Sequence, residues 1–152
     1  MPDARIPTVV TANSLIGTWR LKSYVVTTAA GERTTPYGPK PRGLLSYSAD
    51  GHMQVIGVAD ERVIPVGSTA TTSERAALYD TLFAYAGTYS VEGNTVTHHV
   101  EISWNGSWTN TDQLRIFERN GNTLTLGTRM IDATSGAEVN YTLEWEKTPP
   151  PN

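Results

Sequence analysis

The sequence predicts an all-β fold, an eight-stranded antiparallel up-and-down barrel with one short helix between strands 3 and 4. Turn signals recur at short spacing along the chain, which is typical of β-sandwiches and β-barrels. The later strands sort consistently into an apolar-rich face and a polar face. A sheet of about eight strands joined by successive hairpins is expected to close, because closure removes its unpaired edges.

The composition indicates one globular domain over residues 1–152, with its core at about 15–147. The 152 residues are 38% hydrophobic and 18% charged and include no cysteine, which excludes disulfides, thiol catalysis and thiolate metal sites. A formal net charge of −3 gives no reason to expect nucleic acid or an anionic membrane as a partner. No apolar run is long enough for a signal peptide or a membrane span, so a cytoplasmic location is the default expectation.

Eight segments have the residue pattern of strands. They lie near 16–28, 42–49, 52–59, 87–92, 95–104, 108–119, 123–132 and 137–147. Tight turns are expected at Gly93-Asn94, Asn105-Gly106 and Asn120-Gly121, because these residue pairs tolerate the positive φ that hairpins require. A four-residue loop is expected at 133–136.

One segment departs from this rhythm and predicts a helix over 73–86. Ser73 is a candidate N-cap, and Gly87 is a candidate stop signal. The apolar positions of this segment have helical spacing and are expected to face the barrel: Leu78, Leu82, Tyr85 and Ala86. The other long connection is 29–41, which is rich in Gly, Thr and Pro.

The turn positions also predict which side chains share a face of the sheet. They place Tyr89 opposite His98, His98 opposite Gln113, Arg115 opposite Leu126, Phe117 opposite Leu124, Thr128 opposite Tyr141, and Leu124 opposite Trp145. The apolar-rich face, which we expect to be the interior, comprises Tyr89, Val91, Val96, His98, Val100, Ile102, Gln113, Arg115, Phe117, Leu124, Leu126, Met130, Val139, Tyr141, Leu143 and Trp145.

The same register orients the barrel. Strand one begins at the end that carries the tight turns, so Trp19 is expected to close that end with Phe117 and Trp145, and with Arg115 nearby. The 29–41 connection and the helix are expected at the opposite end, the mouth. Trp104 and Trp108 flank a connection at the mouth, where they either guard access or cap the barrel.

Several ordered blocks of the sequence resemble the lipocalin-like domain proteins of bacteria and fungi. They are the Gly-x-Trp block GTWRL at 17–21, RGLLSY at 42–47, AGTY at 86–89, THHVE at 97–101 and TDQ at 111–113. The resemblance runs from about Leu15 to Lys147 and implies an eight-stranded barrel with a ligand cavity. Some barrels of this type act as cofactor-free cyclases or isomerases. Classical lipocalins pack a basic residue near the chain end over the motif Trp, where strand eight here offers Lys147 and the interior offers Arg115.

Polar residues on the interior face are the candidates for function. Tyr89, His98, Gln113, Thr128 and Tyr141 form a belt at one level, and Tyr47 joins them from strand two. The belt is either a hydrogen-bonded network that fixes the core or a set of groups that orients a ligand. His98, predicted to bond Tyr89 or Gln113, is either a core residue or an acid–base group with an unperturbed pKa of about 6.5.

Two further charged sites have competing interpretations. Arg115 either stacks on Trp19 or anchors a ligand's carboxylate or phenolate. His99 and Glu101 share the outer face without a third ligand, which is a weak basis for a metal site, and we expect no metal and no cofactor.

The sequence therefore supports two main functional hypotheses, both of which use the same cavity. In the first, the barrel binds a small, largely apolar or aromatic, polyketide-like molecule; the predicted lining is Tyr47, Met53, Tyr89, His98, Val100, Gln113, Arg115, Thr128, Met130 and Tyr141. In the second, the barrel is a cofactor-independent isomerase or cyclase, in which His98 moves a proton while Tyr89, Tyr141 or Arg115 steadies an oxyanion. A third interpretation has the barrel filled by its own side chains, and the formation of a homo-oligomer stays open.

Overall fold

The computed structural model describes residues 14–131 and 135–151, which fold as a ring of strands with one α-helix. The elements are β1 (Gly17–Thr28), β2 (Arg33–Thr34), β3 (Arg42–Tyr47), β4 (His52–Val58), α1 (Thr72–Asp80), β5 (Leu82–Glu92), β6 (Thr95–Ser103), a 3₁₀ helix (Gly106–Trp108), β7 (Asp112–Asn120), β8 (Thr123–Ile131) and β9 (Glu138–Lys147). Within the described ranges, no helix has the length and apolar character needed to cross a membrane.

The strands form a closed antiparallel barrel. Each long strand pairs with its neighbours in chain order, and β1 pairs with both β3 and β9, which closes an eight-stranded ring. The two-residue β2 adds to the far end of β1. The structure confirms the predicted eight-stranded antiparallel barrel, but β2 was not predicted, and counting it places the helix between the fourth and fifth strands.

Much of the predicted register is confirmed. Tyr89 lies opposite His98, His98 opposite Gln113, and Thr128 opposite Tyr141. The interior is the predicted apolar-rich face, and the buried hydrophobic core is Leu15, Trp19, Leu21, Leu45, Tyr47, Met53, Val55, Tyr85, Val96, Val100, Phe117, Leu124, Leu126 and Trp145.

The turn between β7 and β8 was predicted one residue too early. Asn120 pairs with Thr123, so the turn residues are Gly121 and Asn122, and Gly121 takes a φ of 61° that glycine adopts without steric cost. Phe117 therefore lies opposite Leu126 instead of Leu124, and the predicted pair of Arg115 with Leu126 is wrong. The shift is by two positions, so every side chain keeps its face.

The predicted two-residue turn at 105–106 is also wrong. The strands end at Ser103 and resume at Asp112, and the 3₁₀ helix lies between them. The Asn105 side chain caps this helix by accepting hydrogen bonds from the Ser107 backbone N–H and hydroxyl. Because His99 pairs with Asp112 beyond the loop, the predicted register of β6 and β7 survives. The predicted loop at 133–136 lies partly outside the described residues.

The helix is shorter than the predicted 73–86 and begins earlier. Thr71 is the N-cap, because its Oγ1 accepts a hydrogen bond from the Glu74 N–H at 3.2 Å while the Glu74 carboxylate accepts one from the Thr71 N–H at 2.8 Å. Leu82, Tyr85 and Ala86 belong to β5, where they pair with β4. The prediction that Gly87 ends the helix is therefore wrong, because Gly87 lies within the same strand.

Two β-bulges change which side chains point inward. In the β1–β9 ladder, Lys22 is the extra residue, and beyond it Tyr24 turns into the barrel. In the β5–β6 ladder, Glu101 is the extra residue. Ile102 was predicted to be interior, and this is wrong: the bulge turns it outward, where it is 67% exposed.

Trp19, Phe117 and Trp145 are all buried in the core, which confirms their predicted burial at the closed end. Trp19 is fully buried, and its Nε1 donates a hydrogen bond to the Leu15 carbonyl at 3.0 Å. Leu15 thereby joins the seal of this end.

The basic residue over Trp19 is not Arg115. The Arg119 guanidinium lies 5.2 Å and the Lys147 Nζ 5.7 Å from the Trp19 ring. Arg119 also donates a hydrogen bond to the Ser14 carbonyl at 2.6 Å. The two-residue shift of the β7–β8 register explains this error, because it places Arg119 opposite Leu124, at the level where Phe117 was expected.

The bulge at Glu101 makes a specific stability prediction. A Cβ added to Gly87 would collide with the backbone carbonyl oxygen of His99, whereas one added to Gly127 would have no neighbour closer than 3.8 Å. We expect Gly87→Ala to lower the free energy of unfolding by about 1–3 kcal/mol in urea denaturation. Gly127→Ala, the matched control, should change it by less than about 0.5 kcal/mol. Equal denaturation midpoints for the two variants would contradict this packing.

Candidate functional site

The barrel interior contains a cavity of about 320 Å³ between the core and the mouth. Its lining is dominated by aromatic rings, with a few polar groups among them. The lining residues are Tyr24, Tyr37, Leu45, Val55, Phe83, Tyr85, His98, Trp104, Asn105, Trp108, Arg115, Leu126, Thr128, Met130, Tyr141, Leu143 and Trp145.

His98 forms part of the cavity floor between two tyrosines. The Tyr47 hydroxyl lies 2.7 Å from His98 Nε2, and the Tyr85 hydroxyl lies 2.8 Å from Nδ1. The predicted bond of His98 to Tyr89 or Gln113 is wrong. Tyr89 instead donates to the Ser48 carbonyl and Gln113 to the Thr111 hydroxyl. Both ring nitrogens of His98 are therefore used within the protein.

The three side chains of this network are neutral near pH 7. Burial lowers the pKa of His98 to about 3, and the charge of Arg115 acts in the same direction. Burial likewise raises the pKa of Tyr47 and of Tyr85 above the usual value for a phenol. A neutral imidazole donates one hydrogen bond and accepts one, so the two tyrosines satisfy it completely.

One wall of the cavity is an aromatic cluster at the mouth. The Tyr24 and Tyr37 rings stack with centroids 4.8 Å apart and planes 10° from parallel. Phe83 meets both rings edge-on at 6.0 and 5.5 Å, and Tyr141 meets Tyr24 edge-on at 6.4 Å. Tyr37 belongs to the long 29–41 connection. The Asp60 N–H donates a hydrogen bond to the Tyr37 carbonyl and so holds this connection in position.

The wall formed by the β6–β7 loop carries two indoles. The Trp104 and Trp108 rings meet edge-on at 5.4 Å, and Trp108 also contacts Tyr85 at 5.6 Å. Tyr79 of α1 contacts Trp104 at 6.4 Å, which places the helix beside this wall. Both tryptophans therefore line the cavity and are not merely an external cap.

Arg115 lies at the cavity with its charge directed into the barrel. Its guanidinium is 6.0 Å from the Trp108 ring, and its Nη1 donates to the Leu114 carbonyl at 2.9 Å. Burial lowers the pKa of His98 and the Arg115 charge lowers it further, whereas for Tyr24 and Tyr85 the same charge partly offsets the rise in pKa that burial causes. Among the described residues, the cavity lining includes no carboxylate.

The predicted site residues fall into two groups. Half of them line the cavity: His98, Arg115, Thr128, Met130 and Tyr141. The other half lie elsewhere: Tyr47, Met53 and Val100 are buried in the core, and Tyr89 and Gln113 are half-buried with local hydrogen bonds.

Sequence reasoning missed several lining residues for identifiable reasons. Tyr24 points inward because of the bulge at Lys22, which the sequence does not announce. Tyr85 and Phe83 were placed on a helix. They lie in the short apolar run at 82–86, and aromatic residues in such a run are a strand signal that could have identified them.

The outer face of the sheet brings together three polar side chains from three strands. His99 Nε2 lies 3.0 Å from the Ser90 hydroxyl, and its Nδ1 lies 2.8 Å from the Asp112 carboxylate. No sequence spacing indicated this group. The group lies on the open surface of the barrel, away from the interior cavity. Within the described part of the chain, no three His, Asp or Glu side chains come together as a metal-binding group.

The burial of His98 predicts a pH dependence of stability. Because its folded pKa of about 3 lies below the value of about 6.5 expected when unfolded, the unfolded chain binds the proton first. Stability is therefore lost as the pH falls through 6.5. Between about pH 5.5 and 4, we expect the unfolding free energy of the native protein to fall about 1.4 kcal/mol per pH unit more steeply than that of His98→Gln.

Urea denaturation at a series of pH values measures this difference, and carboxylate titrations common to both proteins cancel. Parallel curves would mean that His98 ionises as readily in the folded chain as in the unfolded one.

Comparison with known proteins agrees with this architecture. The family model described as lipocalin-like domain matches residues 16–148. A search of curated proteins gives no match. The matched range runs from the residue before β1 to the residue after β9 and so includes every strand of the barrel. The chain therefore belongs to the lipocalin-like domain family.

Proposed function

We propose that the barrel binds a small, largely aromatic molecule in its interior cavity. The main observation in support of this proposal is the cavity itself. Its volume is about 320 Å³, and it is lined by aromatic rings and a few converging polar groups. Sites for small molecules in proteins have this size and this balance of apolar and polar lining. Membership of the lipocalin-like family supports ligand binding in a cavity of this kind.

The shape and chemistry of the lining favour a flat ring system. Tyr24 with Tyr37 forms one aromatic surface, and Trp104 with Trp108 forms another. Aromatic rings attract each other in stacked and edge-on arrangements in addition to the effect of buried area. Thr128 and Tyr141 add hydroxyl groups beside these rings that fix a ligand's orientation.

Binding is better supported than turnover. An acid–base catalyst works best when its pKa lies near the working pH, whereas burial lowers the pKa of His98 to about 3. Both His98 nitrogens are held by tyrosines, and Tyr89, one proposed oxyanion partner, does not line the cavity. The isomerase or cyclase hypothesis stays a prediction that these contacts do not favour.

A shallower groove on the outer face is the competing location for an apolar molecule. It runs over β3 to β6 and includes the exposed side chains of Leu44, Ile56 and Ile102. The interior cavity is the better candidate because rings surround it on several sides and remove more of a ligand's surface from water.

Fluorescence titration with N-phenyl-1-naphthylamine, a neutral dye that brightens in apolar surroundings, tests the proposal. We expect saturable one-to-one binding with a Kd on the order of micromolar, since an apolar molecule of this size buried in such a cavity gains about that affinity. Thr128→Phe fills the cavity and should weaken binding at least about ten-fold.

Two matched variants locate the dye. Thr125→Phe adds the same ring to the outer face of β8, and Ile102→Gln removes an apolar side chain from the outer groove; neither should change the affinity. A loss of binding in Ile102→Gln with none in Thr128→Phe would place the dye outside and overturn the proposal.

A further inference from the structure

We propose that the ligand of this cavity carries an anionic oxygen group, of the carboxylate class, that pairs with Arg115. This inference rests on the proposed function and specifies the class of ligand: an aromatic acid. It follows from the charges and hydrogen-bond donors that the cavity presents.

The cavity has one cation and no opposing charge among the described residues that line it. Arg115 has no carboxylate within ion-pair distance in the described part of the chain. The titratable groups around it are Tyr24, Tyr47, Tyr85 and His98, all of them neutral near pH 7. Placing a cation among aromatic rings is unfavourable unless it is paired with an anion. A bound anion supplies the negative charge that the lining residues do not provide for Arg115.

The Arg115 guanidinium is also placed to bind a carboxylate. One of its N–H groups donates to the Leu114 carbonyl, which fixes the side chain, and the Trp108 ring lies 6.0 Å from it. A guanidinium has five N–H donors in a planar fork that matches a carboxylate with two parallel hydrogen bonds. The fork therefore retains donors for a ligand.

Several other polar groups of the lining can donate hydrogen bonds. Tyr24 and Tyr141 contribute hydroxyl groups. The Trp104 and Trp145 rings line the cavity too, and their buried Nε1 atoms have no hydrogen-bond acceptor in the described structure. A wall with a cation, phenols and indole N–H groups is suited to a molecule that bears acceptor oxygens.

The test compares two probes of nearly identical shape, 2-naphthoate and 2-naphthamide, by fluorescence titration at pH 7.5. The native protein should bind the anionic naphthoate at least about ten-fold more tightly than the neutral amide, because hydrogen bonds between charged partners are the stronger ones. Arg115→Gln should reduce this preference to about two-fold or less. Arg129→Gln removes the same charge from an exposed ion pair on the outer face and should retain the full preference.

Arg115→Lys keeps the charge without the planar fork and should show an intermediate preference. Equal affinity of the native protein for both probes would overturn this inference while leaving the proposed function intact. Failure of both probes and of the neutral dye to bind would overturn the proposed function itself. A full preference for naphthoate in a folded Arg115→Gln variant would show that another group holds the anion, and would also overturn the inference.

Discussion

The closure of the sheet between β1 and β9 is the constraint on which the rest of the structure depends. Their ladder runs from the Trp19–Lys147 pair to the Thr28–Val139 pair along nearly the whole of both strands. Once the ring is closed, the alternation of each strand decides which side chains are interior. The bulge at Lys22 interrupts that alternation inside this ladder, and so one extra residue brings Tyr24 into the cavity while Trp19 stays in the seal.

The interior is divided by level into a sealed end and a cavity. At the sealed end, Trp19 is covered by Arg119 and Lys147, whose charges face its ring and extend toward solvent. Above it, Tyr47 and Tyr85 give both ring nitrogens of the buried His98 a hydrogen-bond partner. Arg115 lies two residues nearer the mouth than Phe117 on β7. At that level, aromatic rings and hydrogen-bond donors line the interior.

Much of this was predictable from the sequence because strand alternation has a period of two. The Gly93-Asn94 turn alone places His98 inside and His99 outside, and the structure agrees. Even the misplaced turns at 105–106 and 120–121 kept each side chain on its face, since both predictions preserved parity. Arg119 was missed because a register error that preserves the face still changes the level along the barrel.

The remaining errors arise where packing, not local sequence, decides the backbone. At the bulge of Glu101 the Gly87 and His99 backbones approach so closely that a side chain at position 87 would collide, and these two residues are twelve apart in the chain. The end of the helix depends on the pairing of Leu82 with Val58 across the sheet. Cross-strand groups such as Tyr47, Tyr85 and His98 come from three strands, so no spacing within one segment reveals them.

The most direct measurement follows the four indole N–H signals in a ¹H–¹⁵N correlation spectrum during titration with 2-naphthoate. Trp104, Trp108 and Trp145 line the cavity, whereas Trp19 is sealed in the core with its N–H bonded to the Leu15 carbonyl, and so serves as an internal control. We predict that the first three signals shift with one common Kd while that of Trp19 stays in place. Shifts confined to backbone amides of the outer groove around Ile56 and Ile102, with the three cavity indoles unchanged, would contradict it.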